Sequence, residues 1–185
     1  MLEIKRYNPK YKEDVRKVCL NTAYDTAYEP VERNYLLNSY CDYYINNEPD
    51  TCFVAVDKND TAQGYVICAP DFERYKKLVK PYVIQGKKSG FDHYYEGIAE
   101  RSVLRLFSKN YPAHFHIDIN EGFQSMGVGS KLITALFEQL ENKKVKGVML
   151  TTGSGNTQAI NFYKKHGFKT LILFGPAIVM GKKLR

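Results

Sequence analysis

Cysteine and histidine are both scarce in this chain, and neither is grouped. The four cysteines, Cys19, Cys41, Cys52 and Cys68, form no CxxC pair and fall at no zinc spacing, which excludes a zinc module or a disulfide scaffold. The four histidines, His93, His114, His116 and His166, do no better as ligands. His114 and His116 share one strand face by alternation, yet no cysteine or second carboxylate stands at ligand spacing beside them, so no metal is expected. No apolar run approaches the roughly eighteen residues that a bilayer span needs. The opening Met1-Leu2-Glu3-Ile4-Lys5-Arg6 lacks the apolar core of a secretory signal. A cytoplasmic protein with reduced, partly buried thiols is the expectation.

Internal repeats and low-complexity segments are also missing. A chain of 185 residues, 44% hydrophobic and 25% charged, has the size and composition of one soluble domain, 1–185, with a full core. The net charge is +7, but the basic residues are scattered in short pairs such as Lys76-Lys77, Lys87-Lys88, Lys143-Lys144 and Lys182-Lys183. No basic stripe interleaves with stacking aromatics, so a nucleic-acid partner is not expected. Attraction for a phosphorylated small molecule is enough to account for the charge.

What the chain does have is periodicity. Leu2 to Tyr7 alternates as a strand. Val15, Val18, Cys19 and Ala23 place a helix over about 11–24, and a second is expected over about 31–46 after Pro30. Thr51 to Val56 and Gly64 to Ala69 read as two strands of a hairpin around Asp57-Lys58-Asn59-Asp60. Residues 71–110 read as an inserted helical pair. One helix carries Phe72, Tyr75, Leu78 and Val79 and stops near Pro81; a loop over 85–90 follows; a second helix over 91–107 sets Asp92, Glu96 and Glu100 on one face. Two readings of the insert stay open, a solvated surface pair and a lid whose acidic face receives a cationic acceptor. Strands over 147–152, 168–174 and 177–180, with a helix over 156–165, complete a mixed α/β order.

The organising stretch is His114-Phe115-His116-Ile117-Asp118-Ile119-Asn120 followed by Gln124-Ser125-Met126-Gly127-Val128-Gly129-Ser130. Phe115, Ile117 and Ile119 alternate with His114, His116 and Asp118; then Leu132, Ile133, Leu136, Phe137 and Leu140 repeat at helical spacing. Glycines at such a strand-to-helix passage let the backbone turn tightly and leave amides open to an anion at the positive end of the helix. An ordinary turn has the same look.

A second block, Asn156-Thr157-Gln158-Ala159-Ile160-Asn161-Phe162-Tyr163-Lys164-Lys165-His166-Gly167-Phe168, decides between them. In order and spacing the two blocks resemble the GNAT superfamily of acyl-CoA-dependent N-acetyltransferases. The wording of residues 111–119 is similar to a bacterial branch related to the acetyltransferase-like domain appended to O-GlcNAcases. The resemblance implies a GNAT-like fold, a central mixed and mostly antiparallel sheet flanked by helices, with the 71–110 insert as a departure. It implies acetyl-CoA as co-substrate and a small amine or peptide as acceptor. The homodimer is a habit of the family. A non-catalytic acyl-CoA-binding or sensor domain is the alternative from another class.

The resemblance also implies site residues. The amides of Gln124, Ser125, Met126, Gly127, Val128, Gly129 and Ser130 are expected to hold the CoA pyrophosphate. The backbone of Ile117 and Ile119 is expected to pair with the pantetheine arm, since an open strand edge suits an amide chain. Asn156 is expected to bond the pantetheine, to cap its own helix, or both. Tyr163 falls beside the thioester sulfur, as a hydrogen-bond donor to the departing thiolate or as packing. A primary amine is almost wholly protonated at pH 7, and freeing it costs about 4.6 kcal/mol, so a base is sought. Asp118 and His116 are the candidates, Glu121 a weaker third; a buried Asp–His bond that only stiffens the strand is the competing reading. Tyr24, Tyr28, Tyr35, Tyr40, Tyr43 and Tyr44, with Asp25 and Glu29, suggest either an aromatic and acidic pocket for a cation or core packing.

Overall fold

Seven strands form one sheet in the order β1-β2-β3-β4-β5-β7-β6. The computed structural model describes residues 2–23, 27–87 and 91–184, with the side chains of 86–87 and 91–96 outside the description. The strands are β1 (Glu3–Arg6), β2 (Cys52–Val56), β3 (Ala62–Ala69), β4 (Ala113–Ile119), β5 (Gly147–Gly153), β6 (Lys169–Phe174) and β7 (Ala177–Lys183). Neighbours are antiparallel throughout except β4 with β5, which are parallel. The mixed, mostly antiparallel sheet expected from the sequence is the one observed.

Every residue of β2, and all of β3 except Gln63, is buried, because helices cover both faces of the sheet. One face lies under α1 (Lys12–Asn21), α2 (Pro30–Tyr40), α3 (Asp42–Asn47), α4 (Phe72–Leu78), α5 (Lys80–Lys87) and α6 (Phe91–Phe107). The other lies under α7 (Val128–Asn142) and α8 (Thr157–Lys165). The apolar stripe read on α7 packs as expected, with Leu132, Ile133, Leu136 and Leu140 all at 0% exposure.

Two boundaries differ from the periodicity. The single helix expected over 31–46 is two, broken at Cys41 (φ −134°, ψ −69°). Tyr35, Leu36 and Leu37 are buried, and so are Tyr43, Tyr44 and Ile45. Two consecutive triplets cannot share one face of a straight helix, so the break turns the second triplet back toward the sheet. Among the described residues of the insert, three helices replace the expected two. The helix carrying Phe72, Tyr75 and Leu78 does stop before Pro81, at Leu78; Pro81 then lies in the first turn of α5, where a missing N–H costs nothing. Gln85 to Lys87, read as loop, belong to α5.

The feature that positions the site is a parting of strands. β4 and β5 keep register only at Ala113 with Val148 and His114 with Met149. Beyond His114 they separate, and β4 presents a bare edge from Phe115 to Ile119. The Asn120 amide donates to the Gln63 carbonyl at 2.9 Å, on the β3 side. Backbone groups alternate in direction along an antiparallel strand, so those of Ile119, Ile117 and Phe115 point into the gap.

Candidate active site

At the mouth of this gap lies a cavity of about 540 Å³ lined by Ile117, Asp118, Ile119, the 124–130 loop, Asn156, Phe162 and Tyr163. Its floor is the start of α7. Gly127 caps that helix at φ 74°, a left-handed conformation that costs glycine nothing. Ser125 takes the same region at φ 60°, at a cost that a glycine there would not bear. Lys131 is the first residue whose amide bonds back within the helix, to Gly127 at 3.2 Å, so the amides of Val128, Gly129 and Ser130 are left for a ligand. A Cβ on Gly129 would come within 3.1 Å of the Phe162 ring. The glycine loop and the second block are therefore packed against each other, and Ser130 Oγ meets His166 Nε2 at 3.0 Å.

Individual residues hold defined positions around the cavity. Gln124 Nε2 donates to the Ile119 carbonyl at 2.9 Å; this side chain ties the loop to β4 and takes one of the edge acceptors that an amide chain would use. Ile117 keeps both of its backbone groups on the open edge. Asn156 Oδ1 accepts from the Ala159 amide at 3.0 Å and caps α8. Met126 is 61% exposed. Tyr163 is buried at 8% exposure among Phe115, Phe162 and Phe168. Burial, followed by the charge of Asp118, pushes its phenol well above the usual tyrosine range.

The face of β4 that carries His114, His116 and Asp118 looks polar in sequence but is covered by tyrosines. Tyr44 Oη and His116 Nε2 are 3.0 Å apart, and the Tyr40 and Tyr44 rings stand edge-on to His116 at 5.3 and 5.1 Å. Tyr65 Oη donates to Asp118 Oδ2 at 2.5 Å. The Asp–His bond weighed as an alternative gives way to separate partners for each side chain. Burial raises the Asp118 carboxyl above the ordinary value, with hydrogen bonds from Tyr65 and Thr22 opposing it. Burial pushes His116 down to about 4, and burial with the nearby His116 pushes His114 down to about 3. Both imidazoles are neutral at pH 7. His114 is 3% exposed, and neither of its ring nitrogens has a hydrogen-bond partner. It lines a second, small cavity of about 20 Å³ on the helical side of the gap, with Tyr40, Tyr44, Tyr75, His116 and Thr151.

The sequence pattern of the Acetyltransferase (GNAT) family matches residues 18–168, which takes in the hairpin, the parted strands and both blocks. The chain belongs to that family. GNAT folds are also what it superposes on. SsHAT shares 26% identity over 98% of each chain, with a TM-score of 0.86. PH1933 from Pyrococcus horikoshii OT3 is 20% identical over 100% of this chain and 99% of its own, TM-score 0.68. The PaiA N-acetyltransferase from Thermoplasma acidophilum, solved in complex with coenzyme A, is 14% identical over 99% of each chain, TM-score 0.64. These likenesses speak to the fold, and not to the narrower branch suggested by residues 111–119.

A GNAT acetyltransferase takes its acetyl group from acetyl-CoA, and the bare edge, the free helix amides and the close Gly129–Phe162 packing fit that donor. Of the tyrosines grouped in the sequence reading, Tyr40 and Tyr44 reach the gap. Tyr35 and Tyr43 are core, and Tyr28 is 54% exposed beside Asn21, to which it donates. Tyr24 and Asp25 lie outside the described residues, as do the side chains of Asp92 and Glu96; Glu100 lines the small cavity. Sequence reasoning missed Tyr65, Thr22 and Thr151. Tyr65 was within reach, because it is the register partner of Asp118 across β3 and β4. Thr22 caps the C-terminal end of α1, and nothing local marks it.

Proposed function

We propose that this acetyltransferase acylates a primary amine by direct attack on the thioester of acetyl-CoA. The observation that carries the reading is that Asp118 and Tyr163 line one cavity where β4 and β5 part. The amine approaches from the tyrosine-covered side, where His114 and Thr151 Oγ1 are buried without partners; such groups are costly to leave unpaired and suit a polar ligand. Asp118 takes the amine proton as the N–C bond forms, and Tyr163 donates a hydrogen bond to the sulfur as the C–S bond breaks. Asp118 is favoured over His116 because it lines the same cavity as Tyr163 while His116 lines the small one, and because burial strengthens the carboxylate as a base and weakens the imidazole. Amides of the 124–130 loop hold the pyrophosphate, and Ile117 and Asn156 the pantetheine. Four free, buried cysteines support a reducing, cytoplasmic setting.

The test follows free thiol released from acetyl-CoA with a panel of amines, comparing wild type with Asp118→Asn across pH. With Asp118 as base, kcat/KM of the wild type falls on the acid side through a pKa above the ordinary aspartate value, and this limb is lost in the variant along with about 10²- to 10³-fold of the plateau rate. An acid limb that persists unshifted in Asp118→Asn removes Asp118 from the role.

A further inference from the structure

The 71–110 insert carries a groove that the acetyl-transfer site leaves unused. Between α4, α5 and α6 it opens to about 390 Å³, within the range of small-molecule sites. Its floor is apolar: Phe72, Val79 and Val83, flanked by Ile84 at 62% exposure and Ile98 at 36%. Large β-branched side chains left in water across a concave surface are unfavourable unless something covers them.

Among the described residues the rim has one sign of charge: Lys76, Lys80, Arg101 and Arg105 line the groove, and no described aspartate or glutamate does. Lys76 is held by Glu73 at 2.6 Å, outside the groove. Among the described residues, Lys80 and Arg105 have no acidic partner. The uncharged polar lining among the described residues is limited to Tyr75 and Ser102. An extended peptide needs a row of backbone partners, which these two side chains do not supply. A polyphosphate would gain nothing from the apolar floor. We infer that the groove binds a single-chain anionic amphiphile, an aliphatic carboxylate whose tail covers Ile84 and Ile98 and whose head meets Lys80 and Arg105. Tyr75 and Arg101 wall this groove and the small cavity at the gap alike, so the ligand lies directly behind the amine side of the enzyme.

Calorimetric titration of the full chain with decanoate and, separately, with decylamine tests the inference, since the two share a tail and differ in charge. Decanoate is expected to bind once per chain and at least tenfold more tightly than decylamine. In Lys80→Glu/Arg105→Glu that preference is expected to invert, with the circular dichroism spectrum unchanged because both side chains are exposed. Equal binding of the two amphiphiles would reduce the groove to a greasy surface and overturn the inference. So would the absence of saturable decanoate binding, or a double variant that binds decanoate as the wild type does.

Discussion

Tyr163→Phe is expected to lower kcat about a hundredfold while leaving KM for acetyl-CoA within about twofold. The phenol is buried at 8% exposure among three phenylalanine rings, so removing one oxygen leaves the packing intact. In the proposed role, what is lost is a hydrogen-bond donor to the sulfur as negative charge develops on it. The upward shift of its pKa by burial and Asp118 bears on the form of the assistance. Even with ordinary values, a phenol gives its proton to a thiolate uphill by about 2 kcal/mol; the shift steepens that slope. In the proposed role Tyr163 therefore hydrogen-bonds the thiolate and keeps its proton. The kinetic signature is a fall in kcat and kcat/KM together, the mark of an interaction made only in the transition state. A variant with wild-type kcat on its true acceptor would make Tyr163 a packing residue.

Acidification is expected to destabilise the protein through His114. Its folded-state pKa lies near 3, far below the value of about 6.5 for an unfolded histidine. Above pH 6.5 neither state is protonated and the contribution is level. As pH falls below 6.5 the unfolded chain takes up a proton that the folded chain refuses, and stability is lost until the folded pKa is reached. By pH 5 the loss from this residue amounts to about 2 kcal/mol. His116, with a folded-state value near 4, works in the same direction and by a comparable amount down to pH 5. Asp118, with a raised pKa, works in the opposite direction. In urea unfolding, His114→Phe is expected to lose about 2 kcal/mol less than wild type between pH 7 and pH 5. Equal losses in the two proteins would mean that the imidazole is solvated or paired in the folded state.

How far the sequence could be read depended on whether the relevant partners were local. The change from period 2 over Phe115 to Ile119 to helical spacing from Leu132 to Leu140 needs only neighbours in the chain. So does the glycine-opened turn between them, and these features located the sheet edge, α7 and the loop correctly. The second block placed Asn156 as a helix cap and Tyr163 on the packed side of α8 for the same reason. Sidedness alone does not say what covers a side. His116 and Asp118 looked like the solvent face of a strand, yet Tyr44 lies 72 residues from His116 and Tyr65 lies 53 from Asp118. Those contacts exist only once α3 and β3 are folded against β4. The break at Cys41 likewise answers to tertiary burial, since no glycine or proline marks it. Pro81 marked the end of α4 correctly but hid the start of α5, because a proline closes one helix and opens the next with equal ease.

Titration calorimetry with acetyl-CoA and with S-acetylpantetheine, which has the same thioester arm without the diphosphate, tests the central claim most directly. If the amides from Gln124 to Ser130 grip a diphosphate, acetyl-CoA binds once per chain and the truncated thioester at least a hundredfold more weakly, a difference of about 3 kcal/mol. Equal affinity for the two, or no binding of acetyl-CoA at all, would contradict it.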